Sequence, residues 1–356
     1  MIVLVTLLLA VAAMVAFIDK AGDERIVESR DATARRLRQE AYSALEVTLA
    51  VLEDFRLVNG GLHSPAEGWS DPLKFAGWTP RDGCTVEVTF DDESGKLSLP
   101  HIDQATFLNL FEAWSLPRAD AERLADSLLG WMRKDHVSSL GRDPDYEHAA
   151  LPYAAPQRSL RSYSELAAID FARDLFYDAD GQPTELWHRF VSCISLLDYK
   201  QTNLNAAPAD VIVALGQLDR FQQQQLGQYL SGTGDRARQG PGYFETTGQA
   251  AGVLGVRALP AGYGTTIAAL GVHVTVIEGR TSFRLSAVVA PSGGATTVQA
   301  VAPSSKISTQ NPPGATNTSA AATPAASTKK LNYPFTLLEI RENAEISAVP
   351  PPSTKE

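Results

Sequence analysis

The chain is expected to be an α+β protein in which a long N-terminal helix leads to a small antiparallel sheet interrupted by a large helical insertion. Three observations predict this. An unbroken apolar run from Ile2 to Ile18 continues into a helical pattern. Strand-like alternation occurs at Cys84–Phe90, returns briefly at Lys96–Leu99, and recurs at Gly271–Ile277, Ser282–Val289 and Tyr333–Arg341. Between those stretches the spacing of apolar residues is helical.

The apolar run is of about the length that crosses a hydrocarbon core at a rise of roughly 1.5 Å per residue. Only Met1 precedes it. A cleaved secretory signal would carry a basic segment there, so residues 1–18 are expected to form a spanning helix. From Asp19 to Phe55 the pattern stays helical, with Ile26, Leu37, Tyr42, Leu45, Leu49 and Leu52 among charged residues and no proline. The helix should reach about residue 57, where Asn59-Gly60-Gly61 stops it.

Residues 58–102 are expected to hold a loop anchored by Trp69, Phe75 and Trp78, followed by a β-hairpin turning at Asp91-Asp-Glu-Ser-Gly95. Residues 103–260 read as an all-helical domain, with segments at Ala105–Trp114, Ala119–Met132, Ser164–Phe176, Ala207–Leu215 and Phe221–Leu230. Residues 261–343 return to strands. Within them, 291–330 is an Ala/Thr/Ser/Pro-rich loop with too little apolar surface to offset the entropy of ordering it. Residues 344–356 read as a disordered tail.

Composition narrows the function. With 356 residues and 44% apolar content the chain can build real cores, and a net charge of −10 disfavours non-specific contact with phosphate backbones. The six histidines form no HExxH string, and neither a GxSxG elbow nor a P-loop occurs. Gly232-Thr-Gly-Asp-Arg-Ala237 follows a helix and lacks the βαβ setting of a dinucleotide site. Trp114, Trp131 and Trp187 lie on helical faces with leucines on neighbouring turns and are expected in the core.

Some groups could carry chemistry. Asp135, Asp143, Asp145 and Glu147 supply alternating oxygen donors suited to a hard cation such as calcium, or form a solvated acidic loop; the turn glycine and spacing of an EF-hand are missing. Cys84 and Cys193 are too few for a zinc site; they could pair in an oxidising compartment or stay as buried thiols. Thr202-Asn-Leu-Asn-Ala-Ala207 opens what looks like a helix-hairpin-helix, with Asn203 and Asn205 expected as caps. The only cation beside its turn is Arg220, so protein packing is the expected role.

The order of parts resembles type II secretion system protein K, a minor pseudopilin. The resemblance rests on Asp92-Glu-Ser-Gly-Lys-Leu-Ser-Leu99, Ala125-Asp-Ser-Leu-Leu-Gly-Trp131, Gly141-Arg-Asp-Pro-Asp-Tyr146, Tyr153, Leu160-Arg-Ser-Tyr-Ser-Glu-Leu166 and Thr202-Asn-Leu-Asn-Ala-Ala207, in that order. It implies a pseudopilin fold with an inserted SAM-like, helix-hairpin-helix-like domain. It further implies a non-enzymatic subunit at the pseudopilus tip, single-pass in the bacterial inner membrane with its soluble region in the periplasm. Its partners would be the minor pseudopilins I and J, with no nucleic acid and no small-molecule substrate. It also implies that calcium is the metal, if the 135–147 donors hold one. Most pilin-like subunits carry a glutamate at the fifth position, where this chain has Val5. A buried glutamate is tolerated in lipid when a neighbour's N-terminus pairs with it, so a chain without one suits a position with no subunit above. Ile2, Val5, Leu8, Ala12 and Ile18 are the expected membrane and assembly contacts. The rival readings are a competence-type helix-hairpin-helix DNA binder and a signal-anchored secreted enzyme.

Overall fold

The computed structural model describes residues 2–139, 146, 153–233, 242–298 and 334–343; within 2–29, side chains are described only at Met14, Phe17, Lys20 and Glu28. The expected loop at 291–330, the Gly-rich string at 232–237 and the tail from residue 344 therefore lie largely outside the described residues.

Helix α1 runs without a break over Ile2–Asn59, and Gly60 follows it at φ +71°, a left-handed conformation that costs glycine little. Its second half turns Leu37, Ala41, Ala44, Leu45, Thr48, Val51 and Leu52 to one side at spacings of three and four residues, and all are buried. They pack on a four-stranded antiparallel sheet of β1 (Cys84–Asp92), β6 (Leu270–Glu278), β7 (Thr281–Pro291) and β8 (Phe335–Glu342), ordered β1-β6-β7-β8. Val272, Val274, Val276, Phe283, Leu285, Ala287 and Val289 supply the sheet side of this core. The short α2 (Pro72–Phe75) and the preceding loop close one end, with Trp69 fully buried and edge-on to Phe90 at 4.9 Å.

The sheet is completed after the insertion, as the strand pattern predicts, and β8 pairs antiparallel with β7 at its edge. The expected hairpin after β1 does not form. β1 pairs with β6 along its whole length, from Cys84 opposite Glu278 to Asp92 opposite Leu270. Glu93–Gly95 is instead a 3-10 turn, and β2 (Leu97–Ser98) pairs in parallel with β3 (Ile194–Ser195) inside the insertion. The reason is burial: Leu97 and Leu99 belong to the insertion's core, out of reach of the sheet.

That insertion has two apolar centres. The larger gathers α3 (Gln104–Ala113), α4 (Arg118–Met132), α5 (Ala172–Phe176) and α6 (Glu185–Cys193) around Phe107, Phe111, Leu124, Leu128, Phe176 and Phe190. The smaller joins α7 (Ala209–Leu215), α8 (Arg220–Leu230) and α9 (Thr247–Leu254) around Phe244, with Tyr229 stacked on it at 4.5 Å. β4 (Thr202–Asn203) and β5 (Tyr263–Gly264) form a parallel pair beside it. The helix expected over Ser164–Phe176 is divided: Tyr163–Ala168 is 3-10, and Phe171, at φ +62°, breaks the chain before α5. Helix α6 carries Trp187, expected on a helical face, whereas α9, a Gly/Ala-rich string, has no expectation of its own.

Candidate functional site

Helix α1 divides at about Leu37. Above it, the apolar stripe is already used by the chain's own sheet: Leu37 and Leu45 are buried and Leu49 is half-buried against the same core. Leu37 and Leu45, part of the apolar stripe read in the sequence with Ile26 and Leu49, are therefore closed to another subunit. Below it, Met14 and Phe17 are 65% and 73% exposed. The side chains of Ile2, Val5, Leu8, Ala12, Ile18 and Ile26 lie outside the described residues. Among the described residues no helix is long and apolar enough to cross a membrane.

Of the four oxygen donors proposed for a cation, Asp135 is exposed just beyond α4, whereas Asp143, Asp145 and Glu147 lie outside the described residues. Among the described residues no three His, Cys, Asp or Glu side chains are grouped to hold a metal. The carboxylate that organises this region is Asp126, buried on α4. It accepts from His136 Nε2 at 3.1 Å, Ser138 Oγ at 3.2 Å and Ser139 Oγ at 2.8 Å, and so draws the chain beyond α4 back onto the helix. The signal in the sequence was an acid between Ala125 and Ser127, on the face that the helical period assigns to the core. Trp131, at the end of α4, is edge-on to Tyr146 at 5.3 Å, and the Tyr153 hydroxyl donates to the Ala168 carbonyl at 2.7 Å. Trp114 and Trp131 are buried and Trp187 half-buried, in keeping with core packing.

Cys84 and Cys193 are both free thiols. Cys84 lines the sheet core, where partial burial and then the nearby Glu278 raise its pKa. Cys193 lies in the larger helical core, where burial pushes its thiol up to about 11.

The Asn203 and Asn205 side chains do not cap a helix. Pro208 precedes α7, with no side-chain cap, and the two amides cross-link loops instead. Asn203 Nδ2 donates to Asp92 Oδ2 at 2.7 Å and to the His63 carbonyl at 3.0 Å. Asn205 Nδ2 reaches the carbonyls of His63, Phe244 and Thr265, and its Oδ1 accepts from Phe244 N at 2.7 Å. Asp92 also accepts from Ser94 N at 2.8 Å and Ser94 Oγ at 2.6 Å. Burial raises the Asp92 carboxyl to about 6, against the opposing pull of these donors and with a smaller push from Asp91. Next to it, Glu67 takes the His63 ring at 2.5 Å and the Trp69 indole N–H at 2.8 Å.

The helix-hairpin-helix shape is present. Gly216, at φ +67°, ends α7, and Asp219 forms a capping box on α8. Its outer face shows Val213 and Phe221 at 37% and 66% exposure, an apolar surface unlike a phosphate-binding turn. A cleft of about 520 Å³ lies between the end of α4 and Thr296–Val298. Two of its charged groups are engaged by neighbours, Arg158 with Glu165 at 3.1 Å and Asp198 with His101 at 2.7 Å, and the buried Ser159 hydroxyl has no hydrogen-bond partner among the described residues. They do not converge as a catalytic set would.

A family model for type II secretion system protein K matches residues 92–179. No curated protein matches the sequence. In fold, the chain is similar to a chain of the GspK-GspI-GspJ complex from the enterotoxigenic Escherichia coli type 2 secretion system. The identity is 15% and the TM-score 0.51, over 74% of this chain and 93% of that one. Residues 92–179 are thus similar to the first domain of type II secretion system protein K, within a fold similar to that of a chain of the GspK-GspI-GspJ complex.

Proposed function

We propose that this chain is a non-enzymatic minor pseudopilin of a type II secretion system, held in the inner membrane by Ile2–Ile18 with its soluble region in the periplasm. It would cap the pseudopilus tip and help start assembly. The observation that carries the reading is the division of α1: its upper half is consumed by the chain's own sheet, while Met14 and Phe17 below stand exposed on an apolar helix. Such a surface needs lipid or other helices around it. The insertion between β1 and β6 adds bulk that would block stacking of another subunit. The similar chain comes from the GspK-GspI-GspJ complex, which supports minor pseudopilins I and J as the partners here.

The test is co-purification of the full chain in detergent with the pilin-like proteins encoded beside it, with stoichiometry read by light scattering. A stable complex with one copy of each supports the reading; a monomer that ignores them, or salt-dependent capture of duplex DNA, overturns it. Leu8→Asp should abolish membrane retention, at about 2.5–3.5 kcal/mol for a charge near the bilayer centre. Calcium at 135–147 is a separate part of the proposal, and a melting temperature indifferent to chelator removes it.

A further inference from the structure

The insertion and the α1–sheet module have separate apolar cores. One apolar contact between them is a small cluster in which Tyr199, Ala269, Ala290 and Ala295 are buried and Leu197, Ala268, Val288 and Leu338 pack half-buried around them. Apolar contact of this kind is non-directional and does not select one angle between two bodies. Beside it lies the network of Asp92, Ser94, Asn203, Asn205 and the His63 carbonyl. It draws on the loop after α1, the end of β1 and two stretches of the insertion. Ser94 and Asn203 are fully buried, and Ser94 Oγ also accepts from Ala268 N at 2.9 Å, just ahead of β6. Every contact to Asp92 comes from a donor, and His63 O is shared by both asparagines. A buried network with its members satisfied specifies one arrangement, because any other leaves polar groups unpaired.

We propose that this Asp92–Asn203–Asn205–His63 network is the joint that fixes the pose of the helical insertion on the α1–sheet module, so that the insertion acts as a rigid arm. Charged neighbours tune the joint: Asp91 and Glu93 flank Asp92 and share Lys96, at 3.4 and 2.6 Å. From the loop side, His63 and Glu67 face it as a pair.

The experiment uses the full chain in detergent micelles, with Cys84→Ser and Cys193→Ala and nitroxides at Glu46→Cys on α1 and Glu112→Cys on α3, both exposed. The parent should give one narrow interspin distance. Asn203→Ala should broaden it to at least about twice the parent width, with helical content retained. Asp92→Asn, nearly isosteric, should broaden it too, because an amide N–H then faces the Asn203 N–H. Should Asn203→Ala not fold, Asn205→Ser and Asp92→Asn decide the matter. Narrow, superimposable distances in every folded variant overturn the proposal. The distances are read on the chain alone, so failure to find pseudopilin partners leaves this result standing.

Discussion

Gly95 is where the chain leaves the sheet for the insertion, and a methyl group there should be felt at once. A Cβ built on Gly95 would lie 2.8 Å from the Ala206 carbonyl oxygen, 2.9 Å from its carbon and 3.0 Å from its Cβ. Ordinary contact begins near 3.4 Å, so the two segments must part by roughly half an ångström. The obstacle is backbone, and that backbone is pinned next door by Asn205, so it cannot swing aside as a long side chain would. Gly95→Ala should therefore cost about 2 kcal/mol, a fall of roughly 4–8 °C in Tm. Gly227, inside α8 with nothing within 4 Å of its built Cβ, is the control. Gly227→Ala should stabilise by about 0.5–1 kcal/mol, since alanine loses less backbone entropy in a helix. Thermal melts by circular dichroism read both. The reasoning is refuted if Gly95→Ala melts with the parent, or if both substitutions lower Tm together.

Three further outcomes are expected. The Asp92 carboxyl rises from 3.8 to about 6 on folding, so its stabilising contribution is fully present below pH 3.8 and is lost as pH rises through about 6. Relative to Asp92→Asn, the parent should lose about 2.4 kcal/mol between pH 4 and 7.5 in urea titrations, and parallel curves would sink the argument. Cys84 should alkylate in the folded chain, and Cys193 only on unfolding; a non-reducing digest that yields a Cys84–Cys193 peptide would contradict this. Leu45→Ala should destabilise the isolated chain by about 2–5 kcal/mol, and Met14→Ala by almost nothing; equal effects would mean that α1 is not divided at Leu37.

What the sequence made legible were features with long, local signals. The helix from Ile2 to Asn59, β6 and β7 around Gly279, and the late strand at Phe335–Glu342 all follow from periodicity and turn residues within one window. The hairpin expectation failed because β2 is two residues long and its partner, Ile194–Ser195, is remote in sequence. No local pattern distinguishes a strand that returns to its neighbour from one captured by a distant core. Asn203 and Asn205 look like caps for the same reason: a side-chain amide before a helix satisfies the local rule, and only the fold brings His63 and Asp92 within reach. Leu37, Leu45 and Leu49 form a correct stripe, but a stripe does not say whether its cover lies in the same chain. Asp126 was readable as an acid on an apolar face, and its role emerged once His136, Ser138 and Ser139 turned back onto it.

The pairing of β1 with β6 also bears on how the protein comes to be folded. Asp92 stands opposite Leu270, so the ladder closes a loop of about 180 residues, an entropic cost that grows only slowly with length but must be met before any of its bonds form. Helical contacts within the insertion are local and can form earlier, bringing its two ends side by side and leaving the sheet to zip afterwards. The same geometry makes the insertion a removable module. Joining Asp92 to Leu270 through a short turn would convert β1 and β6 into a simple hairpin, and α1 would keep a sheet to lie on.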